Sequence, residues 1–236
     1  MLIHDGQTRE LKSDLTLGGI LAFIAGGVNS AGYLAYGYFS ANMTGNVSMV
    51  SELLSVRHFQ AAGAFCAIVG MFILGAFVAT SLIQAGKSRG YSNIYALTLI
   101  VEAVVLALAG LWVSLSFEHI NGLALVSVLS FSMGVQNAAS TRISESRVRS
   151  THVSGIATDI GVGLALLTGN VSRSQRTMAM ERLRLHAVTI ASFALGGIAG
   201  ALTFETVQGL AFCLFSGALV LLSMRYIRIG KRPLDS

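Results

Sequence analysis

The sequence predicts an all-α integral membrane protein, with six transmembrane helices plus two short membrane-associated helices arranged as two inverted-topology repeats of three spans. Three observations predict it. Charged residues make up 11% of the 236-residue chain and hydrophobic ones 53%, whereas a soluble domain carries about 25% charged residues. Apolar runs long enough to cross a hydrocarbon core of about 30 Å recur along the chain. Three short blocks of the first half also return, in the same order, in the second.

Residues 1–14, MLIHDGQTRELKSD, are polar and mixed in charge. They lack the apolar stretch and cleavage site of a signal peptide, so a cytoplasmic N-terminal tail is expected. Apolar runs at 15–39, 61–84 and 94–117, with a shorter and more polar run at 43–56, form a first membrane repeat over 15–117. Runs at 121–140, 185–204 and 207–227, with a short run at 153–168, form a second over 121–228. Residues 229–236 are the cytoplasmic C-terminal tail. The run 43–56 reaches only about 21 Å as a helix, too little for an ordinary crossing. The 26 glycines suit closely packed membrane helices, and the single proline, Pro233, leaves helix breaks to Gly, Asn, Ser and Thr. Cys66 and Cys213 both fall in apolar runs and are expected to be core thiols.

Charge decides between six crossings and eight. If both short runs crossed, Lys87, Arg89, Arg142, Arg147 and Arg149 would all lie outside. If neither crosses, Arg57 is the one outer residue among 16 Lys and Arg. The positive-inside rule selects the second arrangement, with both termini cytoplasmic. The same rule accounts for the net charge of +5 without nucleic acid, for which no aromatic-basic stripe is present. The basic segment 171–186 is expected to be a cytoplasmic connector touching anionic lipid.

The repeated blocks are GVNSAG (27–32) with GVQNAA (134–139), NMTGN (42–46) with HVSGI (152–156), and FILGA (72–76) with FALGG (193–197). With three crossings per half, the second copy turns over in the membrane, the plan of many transporters. After the first block, half one carries Tyr33, Tyr36, Tyr38 and Phe39, and half two carries Arg142, Arg147 and Arg149. The same repeat position is adapted to opposite sides of a bilayer.

The motifs GGVNSAG, NMTGN, MGVQNAAS and HVSGIATDIG, in this order, resemble the YoaK-type family of bacterial membrane proteins, a domain of unknown function. The resemblance covers about residues 15–228, although Ser154 and Ile156 stand where Thr or another polar residue is expected in the second motif. It implies a six-span, multi-pass protein of the bacterial inner membrane, at most a candidate transporter. It supplies no catalytic or ligand residues.

Site candidates therefore rest on physical chemistry. Asn, Thr and Gly begin helices well, because a side-chain oxygen caps free N–H groups. NMTGN is expected to start one short helix and HVSG the other, each presenting a partial positive end to a polar or anionic ligand. The substrate-binding candidates are Asn29, Asn42, Thr44, Gly45, Asn46, Gln136, Asn137, His152, Ser154 and Gly155. The competing use of such residues is tight helix packing and interhelical hydrogen bonding. Glu102 and Asp159 are acidic residues inside apolar runs and are the proton-coupling candidates. Asp159 and His152 are spaced to share a helix face.

No metal-ligand spacing, nucleotide loop or cofactor motif appears. Ser154 with His186 is a faint serine-protease pairing without supporting context. No enzymatic activity and no cofactor are expected. The expected partners are the lipid bilayer and a small polar or anionic solute, with a homo-oligomer left open. The function expected is that of a small-solute secondary transporter or permease, with proton coupling optional. The alternative is a non-transporting scaffold, sensor or subunit of a membrane complex, in which both motifs would be buried in dry packing.

Overall fold

The computed structural model describes residues 10–116 and 121–229. The tail residues 1–9 and 230–236, and the link at 117–120, lie outside the described residues. Among the described residues all regular structure is helical: α1 (Leu11–Tyr36), α2 (Met43–Ser55), α3 (Phe59–Ser88), α4 (Ile94–Leu115), α5 (Gly122–Ile143), α6 (Val153–Thr168), α7 (Arg173–Val207) and α8 (Leu210–Ile229). α1, α3, α4, α5, α7 and α8 are long and apolar enough to cross a membrane. α2 and α6 are the two short runs.

Local chemistry sets the helix ends. α1 stops at Gly37, which adopts φ 75° and returns its N–H to the Tyr33 carbonyl at 2.7 Å, a left-handed stop that only glycine makes at no steric cost. Asn42 and Asn121 each accept a first-turn N–H and so start α2 and α5. α7 departs from expectation. Ser172 and Gln175 form a capping box, and the helix proceeds from Arg173 straight into the apolar run. The segment expected as a connector is thus the first part of a 35-residue helix.

Packing is organised around two crossings, α1 against α7 and α3 against α5, with α4 against α8 as the third close pair. The first two crossings use the same device. A Cβ on Gly26 would strike the Phe193 carbonyl, and one on Gly196 would strike the Phe23 carbonyl. A Cβ on Gly134 would strike the Phe72 carbonyl, and one on Gly75 the Phe131 carbonyl. Each glycine lets a backbone approach where any side chain would hold it off. The order of contacts gives the helix directions. Gly18 lies beside Leu185 and Gly26 beside Phe193, so α1 and α7 run parallel. Ser130 Oγ donates to the Ile68 carbonyl at 2.8 Å and Gly134 lies beside Ala76, so α3 and α5 also run parallel. Along α1 and α5 the order reverses: Gln136 reaches Leu21, Leu129 lies beside Gly32, and Gly122 beside Tyr36. α4 and α8 are antiparallel, tied by Ser216 Oγ to the Ala103 carbonyl at 2.6 Å and by Cys213 Sγ to the Ala107 carbonyl at 3.7 Å.

The core gathers Leu17, Leu21, Leu99, Leu106, Leu129 and Phe212, all fully buried. The opposite faces carry Ile73, Phe77, Leu108, Leu195 and Leu221, each at least 60% exposed. In water such faces would carry a large hydrophobic cost, and in hydrocarbon they carry none. Cys66 is on one of these outward faces and Cys213 is half-buried, so neither is the core thiol expected.

Candidate functional site

Both short helices are drawn back among the long ones. Asn29 lies about two turns, or roughly 10 Å, before the end of α1. Its Oδ1 accepts the Ala41 N–H at 2.8 Å, which folds the segment after α1 back along that helix. Asn46 Nδ2 donates to the Phe39 carbonyl at 3.1 Å and fixes the same turn from the other side. α2 therefore begins well below the end of α1 and returns to pack on α3. The second half uses other side chains for the same fold-back. Gln136, again about two turns from its helix end, donates from Nε2 to Ser150 Oγ at 2.8 Å and to the Leu21 carbonyl at 2.9 Å. α6 then begins at His152 and packs on α7.

The two helix starts open on one cavity of about 840 Å³, within the size range of ligand pockets. Asn29, Asn42, Thr44 and Gly45 from the first half line it, together with Asn137, His152 and Ser154 from the second. Phe72 and Phe193, whose carbonyls receive the crossing glycines, stand in its wall. Of the predicted binding residues, Asn46, Gln136 and Gly155 do not line it. Asn46 and Gln136 hold the fold-back segments from behind. Gly155 has a different role, shared with Gly45. A Cβ on Gly45 would strike the Asn42 amide, and one on Gly155 the His152 ring. In both motifs the glycine lets the residue before the helix lie over the first turn.

The two starts are not equally satisfied. Asn42 Oδ1 accepts the Gly45 N–H at 3.1 Å, whereas His152 makes no side-chain cap bond. Among the described residues the N–H groups of Met43, Thr44, Val153, Ser154 and Gly155 have no partner, as expected of a first helical turn left open.

The proton-coupling candidates are elsewhere. Glu102 is wholly buried on α4, within the leucine-lined core, and neither carboxyl oxygen has a hydrogen-bond partner among the described residues. It does not line the cavity. Asp159 is 62% exposed and faces His186 Nε2 at 3.8 Å, in a separate groove with Arg182. The predicted shared face of His152 and Asp159 is not formed, because His152 precedes the helix and turns over its start. Ser154 and His186 line different cavities, which leaves the faint protease pairing without geometry.

Sequence reasoning misses two residues. Asp14, placed by its polar neighbours in the tail, is a fully buried residue of α1, and Arg147 reaches it at 3.1 Å. Arg149 counts in the sequence only as a marker of sidedness, yet it lines the cavity and makes no ion pair among the described residues. Its position three residues before the helix-start His152 is the signal that could have found it.

A family model described as a protein of unknown function (DUF1275) matches residues 17–226. The UPF0700 transmembrane protein YoaK of Bacillus subtilis (strain 168) is 28% identical over 199 residues, covering 79% of this chain and 82% of that protein. No solved structure matches the chain.

Proposed function

The chain belongs to the DUF1275 family, and from that premise we propose a permease. This multi-pass membrane protein carries a small polar or anionic solute across the bacterial inner membrane, through the cavity between the starts of α2 and α6. Its halves are inverted repeats of three spans and one re-entrant helix, and both termini are cytoplasmic. The observation that carries the reading is that Asn42 and His152, the residues opening the two short helices, line one cavity. Irregular backbone at membrane depth survives only where it is buried in protein or lines water, and broken helices meeting near the bilayer centre are the usual construction of a transport site.

Support for the inversion comes from the antiparallel order of α1 and α5 and from the two equivalent crossings. In that pairing Gly134 corresponds to Gly26, one residue along from the Gly27 that the blocks suggest. A non-transporting scaffold would need both motifs in dry packing, and the 840 Å³ cavity argues against it.

Proton coupling is assigned to Glu102, a buried carboxyl on a helix of the core without a hydrogen-bond partner among the described residues. The test uses vesicles containing the purified protein and a panel of small solutes, with light scattering read with and without an imposed pH gradient. A solute-specific flux absent from protein-free vesicles is expected. Glu102→Gln should remove its dependence on the gradient while Asp159→Asn leaves it unchanged. A protein that conducts no member of the panel through intact, oriented vesicles contradicts the permease. Flux that responds to the gradient equally in wild type and Glu102→Gln removes the coupling role.

A further inference from the structure

The cavity is lined by hydrogen-bond donors and positive charge, and we infer that it is a binding site for a small anion of the carboxylate type. The anion site depends on the permease reading only for the transport step after binding. No Asp or Glu is among the residues that line the cavity. Arg149 supplies a guanidinium with no carboxylate partner among the described residues. His152 adds a second group able to donate.

The helix starts contribute the unpaired N–H groups of Met43 and Thr44 on one side and of Val153 and Ser154 on the other. Each lies at the positive end of a helix dipole. Asn29 is an independent pointer. The residue is 6% exposed, and its Oδ1 is occupied by the Ala41 N–H. Its amide nitrogen has no acceptor among the described residues, and the residue lines the cavity. That donor reaches the open cavity and is not sealed in the core, so a ligand oxygen can accept from it.

A neutral polyol would need acceptors as well as donors. Asn137 offers one, since its Nδ2 is bonded to the Met133 carbonyl and its Oδ1 is not, but a polyol would leave the charge of Arg149 uncompensated. A carboxylate brings only acceptors, and the Arg149 fork matches it in geometry. The volume leaves room for hydration or for a short chain on the carboxylate, so size does not single out one acid.

The test compares isosteres that differ in charge. The full chain in lipid nanodiscs is titrated with potassium acetate against acetamide, and potassium formate against formamide, reading the thermal midpoint. A ligand of the folded state raises that midpoint in a saturable way. The anions should raise it and the amides should not. Arg149→Gln should move half-saturation at least tenfold higher, Arg149→Lys should fall between, and Arg89→Gln, outside the cavity, should match wild type. Arg149→Lys keeps the test decisive if the glutamine variant fails to fold.

Equal effects of acid and amide overturn the inference, as does wild-type half-saturation in the Arg149 variants. Vesicle flux separates the two readings. Acetate binding without acetate flux, relative to protein-free vesicles, leaves the anion site standing and removes the permease. Acetamide flux without acetate binding does the reverse.

Discussion

The start of α2 and the start of α6 are built to one plan and finished differently. Each comes after a fold-back held by a side-chain amide, Asn29 for one and Gln136 for the other. Each has a glycine that lets the preceding side chain lie over the first turn. Around α2 the supports are neutral: an amide cap and the stacked rings of Tyr33 and Phe39, 4.1 Å apart. Around α6 they are charged: a cap-free histidine, Arg149 in the cavity, and Arg147 anchored on buried Asp14. The backbone sets where a solute can sit, and the side chains that differ between the halves set the electrical character of each approach.

The severest way to break the comparison is at the crossings. Gly196→Val and Gly75→Val each push a side chain against a phenylalanine carbonyl on the facing helix. Overpacking costs typically 1–3 kcal/mol, and about 3 or more is expected here because backbone cannot yield as a side chain does. Both variants should lose the monodisperse peak on detergent size-exclusion chromatography. If one half tolerates its valine, the two crossings are not equivalent.

A smaller effect separates the supports of the two fold-backs. Asp14→Asn keeps the shape but removes the charge facing Arg147, whose side chain is 38% exposed. Solvent screening of that partner reduces the loss to about 1–2 kcal/mol. Tyr33→Ala removes the stack on Phe39 and should cost about 1 kcal/mol. Thermal midpoints in low and high salt distinguish them: the Asp14 deficit shrinks with salt and the Tyr33 deficit does not.

The mildest test sharpens the difference at the caps. Asn42→Ala deletes a cap bond and should cost about 1 kcal/mol, while His152→Ala deletes none and should cost only a few tenths. Hydrogen exchange at the first turn of each helix reads this directly, with faster exchange expected at Gly45, whose N–H the Asn42 side chain holds, and little change at 153–156. Equal acceleration at both would mean that His152 caps its helix after all.

The two short helices are legible in the sequence almost to the residue, because their signals are local. Asn42 and His152 stand immediately before apolar runs, with Thr-Gly or Ser-Gly close behind. The long helices are legible for the same reason, since hydropathy needs no partner. The features that cannot be read depend on distant chain. Asp14 looks like tail because its neighbours in sequence are polar, and its partner Arg147 lies in the other half. Arg149 is accounted for too early by the charge count, which needs only its side of the membrane and not its direction. Asp159 fails the opposite way: it lies in an apolar run, but that run is a short helix with an open face. Gly26 and Gly27 are adjacent, and only contacts tell their parts: the Cβ position of Gly26 faces the Phe193 carbonyl, whereas Gly27 turns its Cβ position to Phe215 and lends its backbone to Gly200.

The unbroken length of α7 couples two distant regions. Phe193 stands in the cavity wall, and the same helix runs on without a kink signal to Arg173, about 30 Å away. A tilt of about 10° at the Gly196 crossing would swing Arg173 by about 5 Å on that arm. α6 travels with it, since Leu183 sits against Gly163 and Arg176 bonds the Leu167 carbonyl at 2.8 Å. The cavity wall and the basic rod are thereby parts of one continuous helix, so any displacement of Phe193 has a lever of that length to Arg173.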